Sequence, residues 1–147
     1  MEHEEYMRQA LELARLAMAE GEVPVGCVIV RDGAVVGRGR NRRETAQTAL
    51  GHAELEAIAQ ACRTLGGWRL AGCALYVTLE PCPMCAGAIV NARIPAVYYG
   101  AKGDKAGCCG SVLNLFEERF NHHPRIYGRV LEAECAALLQ DFFPSLR

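Results

Sequence analysis

The stretch Pro81-Cys82-Pro83-Met84-Cys85, together with His52-Ala53-Glu54 about thirty residues upstream, constrains this chain more than any other feature. An apolar run, Cys73-Ala74-Leu75-Tyr76-Val77-Thr78-Leu79, precedes the two thiols, and small apolar residues follow them. That order predicts a strand, a proline-bounded turn, and a helix whose first turn carries both sulfurs. Residues three apart share one helical face, and a helix N-terminus favours the thiolate, the form that binds metal. His52, Cys82 and Cys85 then make three ligands. A structural zinc site usually takes four, whereas a catalytic one leaves the fourth position to water.

His52 and Glu54 are two apart, so mid-helix they would face nearly opposite ways. They can serve one ion only if it lies off the end of a helix. Glu54 then stands beside the metal without being a ligand, the position of a proton shuttle for activated water. Two other readings compete. A lone Cys-x-x-Cys also describes a thioredoxin-like redox pair, but such a pair does not call for an upstream His-x-Glu. A structural zinc knuckle needs a fourth ligand, which Cys62, Cys73, Cys108 or Cys109 could supply. The joint pattern favours catalytic zinc, one Zn2+ per chain, on His52, Cys82 and Cys85.

A chain of 147 residues is one domain's worth, so 1–147 is expected to form a single domain. The net charge of −1 removes the simplest argument for nucleic-acid binding, a strongly basic domain, though not a local basic patch. Eight cysteines without a disulfide framework or signal peptide suggest a reducing, cytoplasmic location. No apolar run approaches the roughly twenty residues that cross a bilayer, so no membrane association is expected.

Along the chain, Tyr6, Ala10, Leu13 and Ala17 form an apolar helical stripe that Gly21 ends. Residues 23–30 and 34–40 read as antiparallel strands joined at Asp32-Gly33. A helix is expected over 52–65. The strand up to Leu79, a helix over 83–92 and a strand over 96–100 form a right-handed parallel βαβ unit. Ala86-Gly87-Ala88 in its helix is small enough to pack closely on the sheet or a second subunit. Residues 114–119 read as a short helix, 126–130 as a final strand, and Leu131 to Phe142 as a closing helix. Arg38, Arg40, Arg42 and Arg43 are the densest positive charge, either a solvated loop or a phosphate contact. Lys102 and Lys105 add to it from a Gly-rich loop. His122 and His123 read as loop residues, and Cys108-Cys109 as inert.

These pieces resemble the bacterial tRNA-specific adenosine deaminases of the cytidine-deaminase-like superfamily over nearly the whole chain. The zinc motif follows the pattern H-x-E…P-C-x-x-C of zinc nucleobase deaminases. Ala106-Gly107-Cys108-Cys109-Gly110-Ser111, Arg119-Phe120-Asn121-His122 and Asp141-Phe142-Phe143 point to the tRNA branch. The chain departs from it in two places: Ala49-Leu50-Gly51 stands where a Pro-Thr-Ala lead is usual, and Gly103-Asp104-Lys105 shifts an aspartate.

The resemblance implies a three-layer α/β/α sandwich on a mixed five-stranded sheet, working as a homodimer. It implies hydrolytic conversion of the wobble adenosine of a tRNA anticodon stem-loop to inosine, with Glu54 catalytic. Asn41 would help hold the nucleotide, and Arg42, Lys105, Asn121 and Phe143 would make further substrate contacts. The competing expectations are a deaminase of free guanine or cytosine, and a non-enzymatic zinc-stabilised tRNA-binding protein, in which Glu54 would have no purpose.

Overall fold

A computed structural model describes residues 2–143. Its central sheet has the order β2-β1-β3-β4-β5, with β1 at Gly26–Arg31, β2 at Ala34–Arg40, β3 at Cys73–Leu79, β4 at Ala96–Ala101 and β5 at Arg125–Tyr127. The Asp32-Gly33 turn joins β1 and β2 antiparallel, Gly26 opposite Arg40. Asp32 at φ 50 and Gly33 at φ 77 supply the two left-handed residues of such a turn. β1 also pairs antiparallel with β3, while β3–β4 and β4–β5 are parallel.

Helices cover both faces. α1 (Glu2–Ala19) and α4 (Glu132–Phe142) lie on one, α2 (Ala53–Leu65) and α3 (Pro83–Asn91) on the other. The core divides accordingly. Leu75, Val77, Ile89, Ile94 and Val97 fill the α2/α3 side, and Met7, Leu11, Val28 and Tyr76 fill the α1/α4 side. Strand alternation sends Tyr76 one way and its neighbours Leu75 and Val77 the other. This is the expected three-layer α/β/α sandwich.

α2 sits unusually close to the edge strand β2. A Cβ built on Gly37 would lie 2.3 Å from the Ala57 carbonyl oxygen, and one on Gly39 would lie 2.1 Å from that of Ala53. Ala53, Ala57 and Ala61, all fully buried, form the facing stripe. Small residues on both partners let backbone meet backbone.

Three elements differ from expectation by more than one residue at an end. The first strand starts at Gly26, not Val23, because Pro24 has no N–H to donate and Val25 bonds back to the Val23 carbonyl at 2.8 Å. Residues 114–119 contain only a 3₁₀ turn, Leu115–Glu117, with Asn114 Oδ1 accepting the Phe116 amide at 3.0 Å. β5 covers 125–127 and not 126–130, for Gly128 lies against the Tyr99 ring and Arg129 and Leu131 turn left-handed at φ 67 and 52.

Candidate active site

α2 and α3 both begin at the carboxyl end of β3, and each is entered through a prospective ligand. His52 is the extended residue that caps α2, at φ −97 and ψ 147, and Cys82 caps α3, at φ −78 and ψ 175. Pro83 fills the first position of α3, where no N–H is needed. Cys85 follows in the first turn and is fully buried. His52 Nδ1 lies 3.6 Å from Cys82 Sγ and 3.5 Å from Cys85 Sγ. Zinc bonds of about 2.0 Å to nitrogen and 2.3 Å to sulfur at tetrahedral angles would separate N and S by about 3.5 Å. The three ligand atoms, all within 4.8 Å of one another, therefore fit a zinc ion. They are also the only such cluster among the described residues.

The charges favour the same species. A hydrogen bond from Cys85 holds the Cys82 thiol at about 4, far below its ordinary value, with His52 assisting. Cys85 is pushed up because its proton is shared with Cys82 and its surroundings are apolar. His52 is raised, first by its hydrogen bond to Cys82. A cation between these atoms takes the place of that shared proton. Both helix N-termini aim their positive dipole ends at the cluster.

Glu54 is the second residue of α2 and only 4 % exposed. Burial is the main cause that lifts its carboxyl to about 7, aided by the Cys82 thiolate and opposed by its own amide and by His52. It lines a cavity of about 130 Å³ with Val23, Val25, Asn41, Arg43, His52 and Cys82. That is small beside the roughly 300–1,000 Å³ of drug-sized sites and suits one ring system. Asn41 is 8 % exposed and fixed on both sides. Its Nδ2 donates to the Val23 carbonyl at 3.4 Å and its Oδ1 accepts the Arg43 amide at 3.3 Å.

His52, Glu54, Asn41 and Cys82 thus share one pocket, with Cys85 in the ligand cluster behind it. Arg42, Lys105, Asn121 and Phe143 lie outside its lining. The Arg42 guanidinium is engaged by Glu56, Nε to Oε2 2.7 Å, although its N–H is not aimed at the oxygen. Arg40 pairs with Glu20 at 2.9 Å. Lys105 is exposed in the 102–113 loop. Asn121 lines a groove along α3 with Met84, Gly87, Ala88, Leu115 and Phe120. Phe143, 45 % exposed, meets Phe142 edge-on at the end of α4.

Of the basic cluster it is Arg43 that lines the pocket, and two buried acids beside it, Glu22 and Glu80, were given no role from sequence. Arg43 reaches the pocket wall, and no carboxylate pairs with it among the described residues. Glu22 and Glu80, 1 % and 3 % exposed, each pin a loop beside the site. Glu22 accepts the Glu44 and Thr45 amides at 3.1 and 2.6 Å and the Thr45 hydroxyl. Glu80 accepts the amides of Gly103, Cys109 and Ser111 at 3.1, 2.8 and 3.1 Å and the Ser111 hydroxyl. Buried acids with this many donors are satisfied anchors. The Glu-Pro-Cys continuity of Glu80 with a ligand was the available signal.

A family profile described as MafB19-like deaminase matches residues 1–147. The tRNA-specific adenosine deaminase of Bacillus subtilis is 50 % identical over 143 residues, covering 97 % of this chain and 89 % of that one. A solved structure from studies of A-to-I editing by tRNA deaminases at the wobble position is 45 % identical. It superposes with a TM-score of 0.88 over 92 % of this chain and 99 % of that one. A guanine deaminase from Bacillus subtilis is also similar, at 35 % identity and a TM-score of 0.69, covering 98 % and 95 %. The chain belongs to the MafB19-like deaminases and, within them, to the family of the tRNA-specific adenosine deaminases.

Proposed function

We propose that this protein hydrolyses the wobble adenosine of a tRNA anticodon stem-loop to inosine, with Glu54 moving the protons. The observation that carries the reading is the position of Glu54, a buried carboxylate at the floor of a base-sized pocket and beside the His52–Cys82–Cys85 cluster. His52, Cys82 and Cys85 would hold one Zn2+, whose chemistry there is to make water nucleophilic near neutral pH. The Glu54 carboxylate accepts a proton from the attacking water and delivers it to the ring nitrogen next to C6. The water oxygen adds to C6. The remaining hydroxyl proton passes through the same carboxylate to the amine, which leaves as ammonia, and C6 becomes a carbonyl.

Asn41, held from both sides, orients the nucleotide, and Val23, Val25 and Leu79 exclude water around the ring. An anticodon loop is already single-stranded, so little stacking is lost when its base enters. The tRNA identity follows from relatives at 45–50 % identity.

The protein works as a homodimer in this reading. Gly87 and Ala88 face an open groove on α3, and a Cβ on Gly87 would meet nothing within 4 Å. Asn121 and Phe120 border that groove, so a partner seated there would bring them near a second site. Lys105 and Phe143 remain as peripheral contacts to the stem-loop. No described helix is long and apolar enough to cross a membrane, and all eight cysteines are free thiols, which suits a reducing cytoplasm.

The test presents the zinc-loaded enzyme with an anticodon hairpin carrying adenosine at the wobble position, the same hairpin with cytidine there, and free guanine. Inosine is expected from the first alone. Rapid turnover of guanine with an untouched hairpin would replace this reading with a free-base deaminase. Hairpin binding without any turnover would leave a zinc-stabilised binding protein.

A further inference from the structure

We infer that Glu80 is a positioning residue for the substrate. Its buried carboxylate fixes the 102–113 loop, with Lys102 and Lys105, to the turn that carries Cys82. It thereby sets where those two cations stand against an RNA phosphate. The inference rests on the proposed function only in taking an anticodon hairpin as what the loop meets.

Residues 102–113 do not hold a shape by themselves. They contain Gly103, Gly107 and Gly110, and neither a helix nor a sheet strand lies between Ala101 and Leu115. Glycine widens the choice of backbone conformation, so the shape of the loop has to come from outside it. It comes from one side chain. Glu80 Oε1 accepts the Gly103 amide at 3.1 Å and the Ser111 hydroxyl, and Oε2 accepts the Cys109 and Ser111 amides at 2.8 and 3.1 Å. Donors on both oxygens leave no place for a proton of its own, so the group is the carboxylate. Backbone bonds complete the attachment. The Glu80 amide donates to the Ala101 carbonyl at 2.9 Å, and the Cys108 amide to the Pro81 carbonyl at 2.8 Å. Gly107 lies flat against the carboxylate, where a Cβ would stand 2.6 Å from either oxygen. The loop is wrapped around Glu80 with no spare volume.

The same side chain belongs to the site. Glu80 lines the pocket with Leu79, Cys82 and Glu54. The Gly103 amide, next to Lys102 and two residues from Lys105, is thus hydrogen-bonded to the pocket wall. Both lysines are exposed, and neither has an ion-pair partner among the described residues. Two lysines less Asp104 leave the loop a net charge of +1.

The opposite wall repeats the arrangement. Glu22 takes the Glu44 and Thr45 amides, directly after Arg42 and Arg43. Each loop that brings cations to the pocket is held from beneath by a buried acid. Burying a carboxylate is costly, and a loop that only had to close could be tied through its backbone. What the carboxylate adds is a set of charge-assisted bonds from several directions. A loop fixed in that way spares its lysines part of the ordering cost of binding.

Glu80→Gln separates this role from packing. Each oxygen serves two donors, so whichever becomes the amide nitrogen, two bonds are lost and donor meets donor. Zinc-loaded parent, Glu80→Gln, Lys105→Gln and the double variant are compared by amide hydrogen exchange, and by hairpin binding and turnover across a range of salt. In Glu80→Gln the 103–111 segment should exchange faster, with α3 and the zinc content unchanged. KM for the hairpin should rise while kcat holds, because the loop meets ground state and transition state alike. The slope of log affinity against log salt should flatten by about one. Lys105→Gln should flatten it equally, and the double variant should do no more than either alone. A merely structural role would lower kcat by the inactive fraction and leave KM and the salt slope untouched, which would overturn the inference. Additive slopes, or loss of zinc with the loop amides still protected, would overturn it too. Where Glu80→Gln fails to fold, Ser111→Ala, which removes one donor and keeps the three amide bonds, decides. Faster loop exchange there with an unchanged KM and salt slope would again overturn the inference. A parent that binds the hairpin without deaminating it would count against the proposed function. The binding titration would still judge Glu80, so the two can fail separately.

Discussion

His52 and Cys82 each immediately precede a helix, and His52 Nδ1 stands 3.6 Å from Cys82 Sγ. Two helices on one face of the sheet, one entering β3 and one leaving it, therefore point their N-terminal ends at one spot. Any anionic ligand set there is favoured twice, by the cation it holds and by both dipoles. Because the ligands are caps, their side chains project off the helix ends, which is how residues two apart in sequence, His52 and Glu54, come to share a site.

Purified protein should contain one zinc per chain. Removing it with a chelator, or changing Cys85 to Ala, should lower the melting temperature, since binding energy is coupled to folding. Reloading should restore the untouched chain but not the variant. Elemental analysis giving no zinc, or about two per chain, would count against the site.

Glu54→Gln keeps the shape of the side chain and removes its capacity to accept a proton. Turnover should fall by about 10²–10⁴-fold with zinc content unchanged. A variant within a few-fold of the parent rate would show that another group moves the proton.

The two neighbouring arginines should separate. Arg42 is held by Glu56 at 2.7 Å, whereas Arg43 lines the pocket with no carboxylate partner among the described residues. Arg43→Gln should weaken hairpin binding and flatten its salt dependence by about one counterion, and Arg42→Gln should do less. Equal effects from both would mean that Glu56 releases Arg42 when RNA binds.

Gly87→Leu tests the dimer without threatening the fold. The position is open, and leucine is a better helix former than glycine by about 1 kcal/mol. The variant should melt no lower than the parent yet sediment as a monomer where the parent is a dimer. A parent that already runs as a 16.0 kDa species would refute the dimer.

Burial alone would raise the Glu22 carboxyl, but bonds from Thr45 and the Glu44 amide outweigh it and hold the group below its ordinary value. A carboxyl lowered on folding stabilises the fold fully above its unfolded pKa, near 4.3, and that stabilisation is lost as pH falls towards the folded value. Glu22→Gln should therefore melt below the parent at pH 7, and the gap should narrow below about pH 4. A gap independent of pH would assign Glu22 a packing role only.

The His52–Cys82–Cys85 cluster and the buried Glu54 beside it were legible because spacing and residue type alone carry them. His-x-Glu and Cys-x-x-Cys make sense only at helix ends, and the hairpin was written in Asp32-Gly33. Glu22 and Glu80 were not legible, because an acid in sequence looks solvated until its donors are known, and those donors come from 22 to 31 residues away. Nor could sequence rank Arg42 against Arg43, since the difference lies in Glu56, one face of α2. The short β5 was misplaced for a similar reason. Gly128 is kept small by the Tyr99 ring, a contact between distant strands.

The close approach of Gly39 to Ala53 also sets a mechanical tolerance. The Ala53 carbonyl that a Cβ at 39 would strike at 2.1 Å belongs to the residue between His52 and Glu54. Alanine at 39 would push the start of α2 outwards by about 1 Å, and a displacement of that size at a reacting group can cost about 10²-fold in rate. The edge strand, which contributes no residue to the pocket lining, thereby acts as the stop against which the Glu54 carboxylate is indexed.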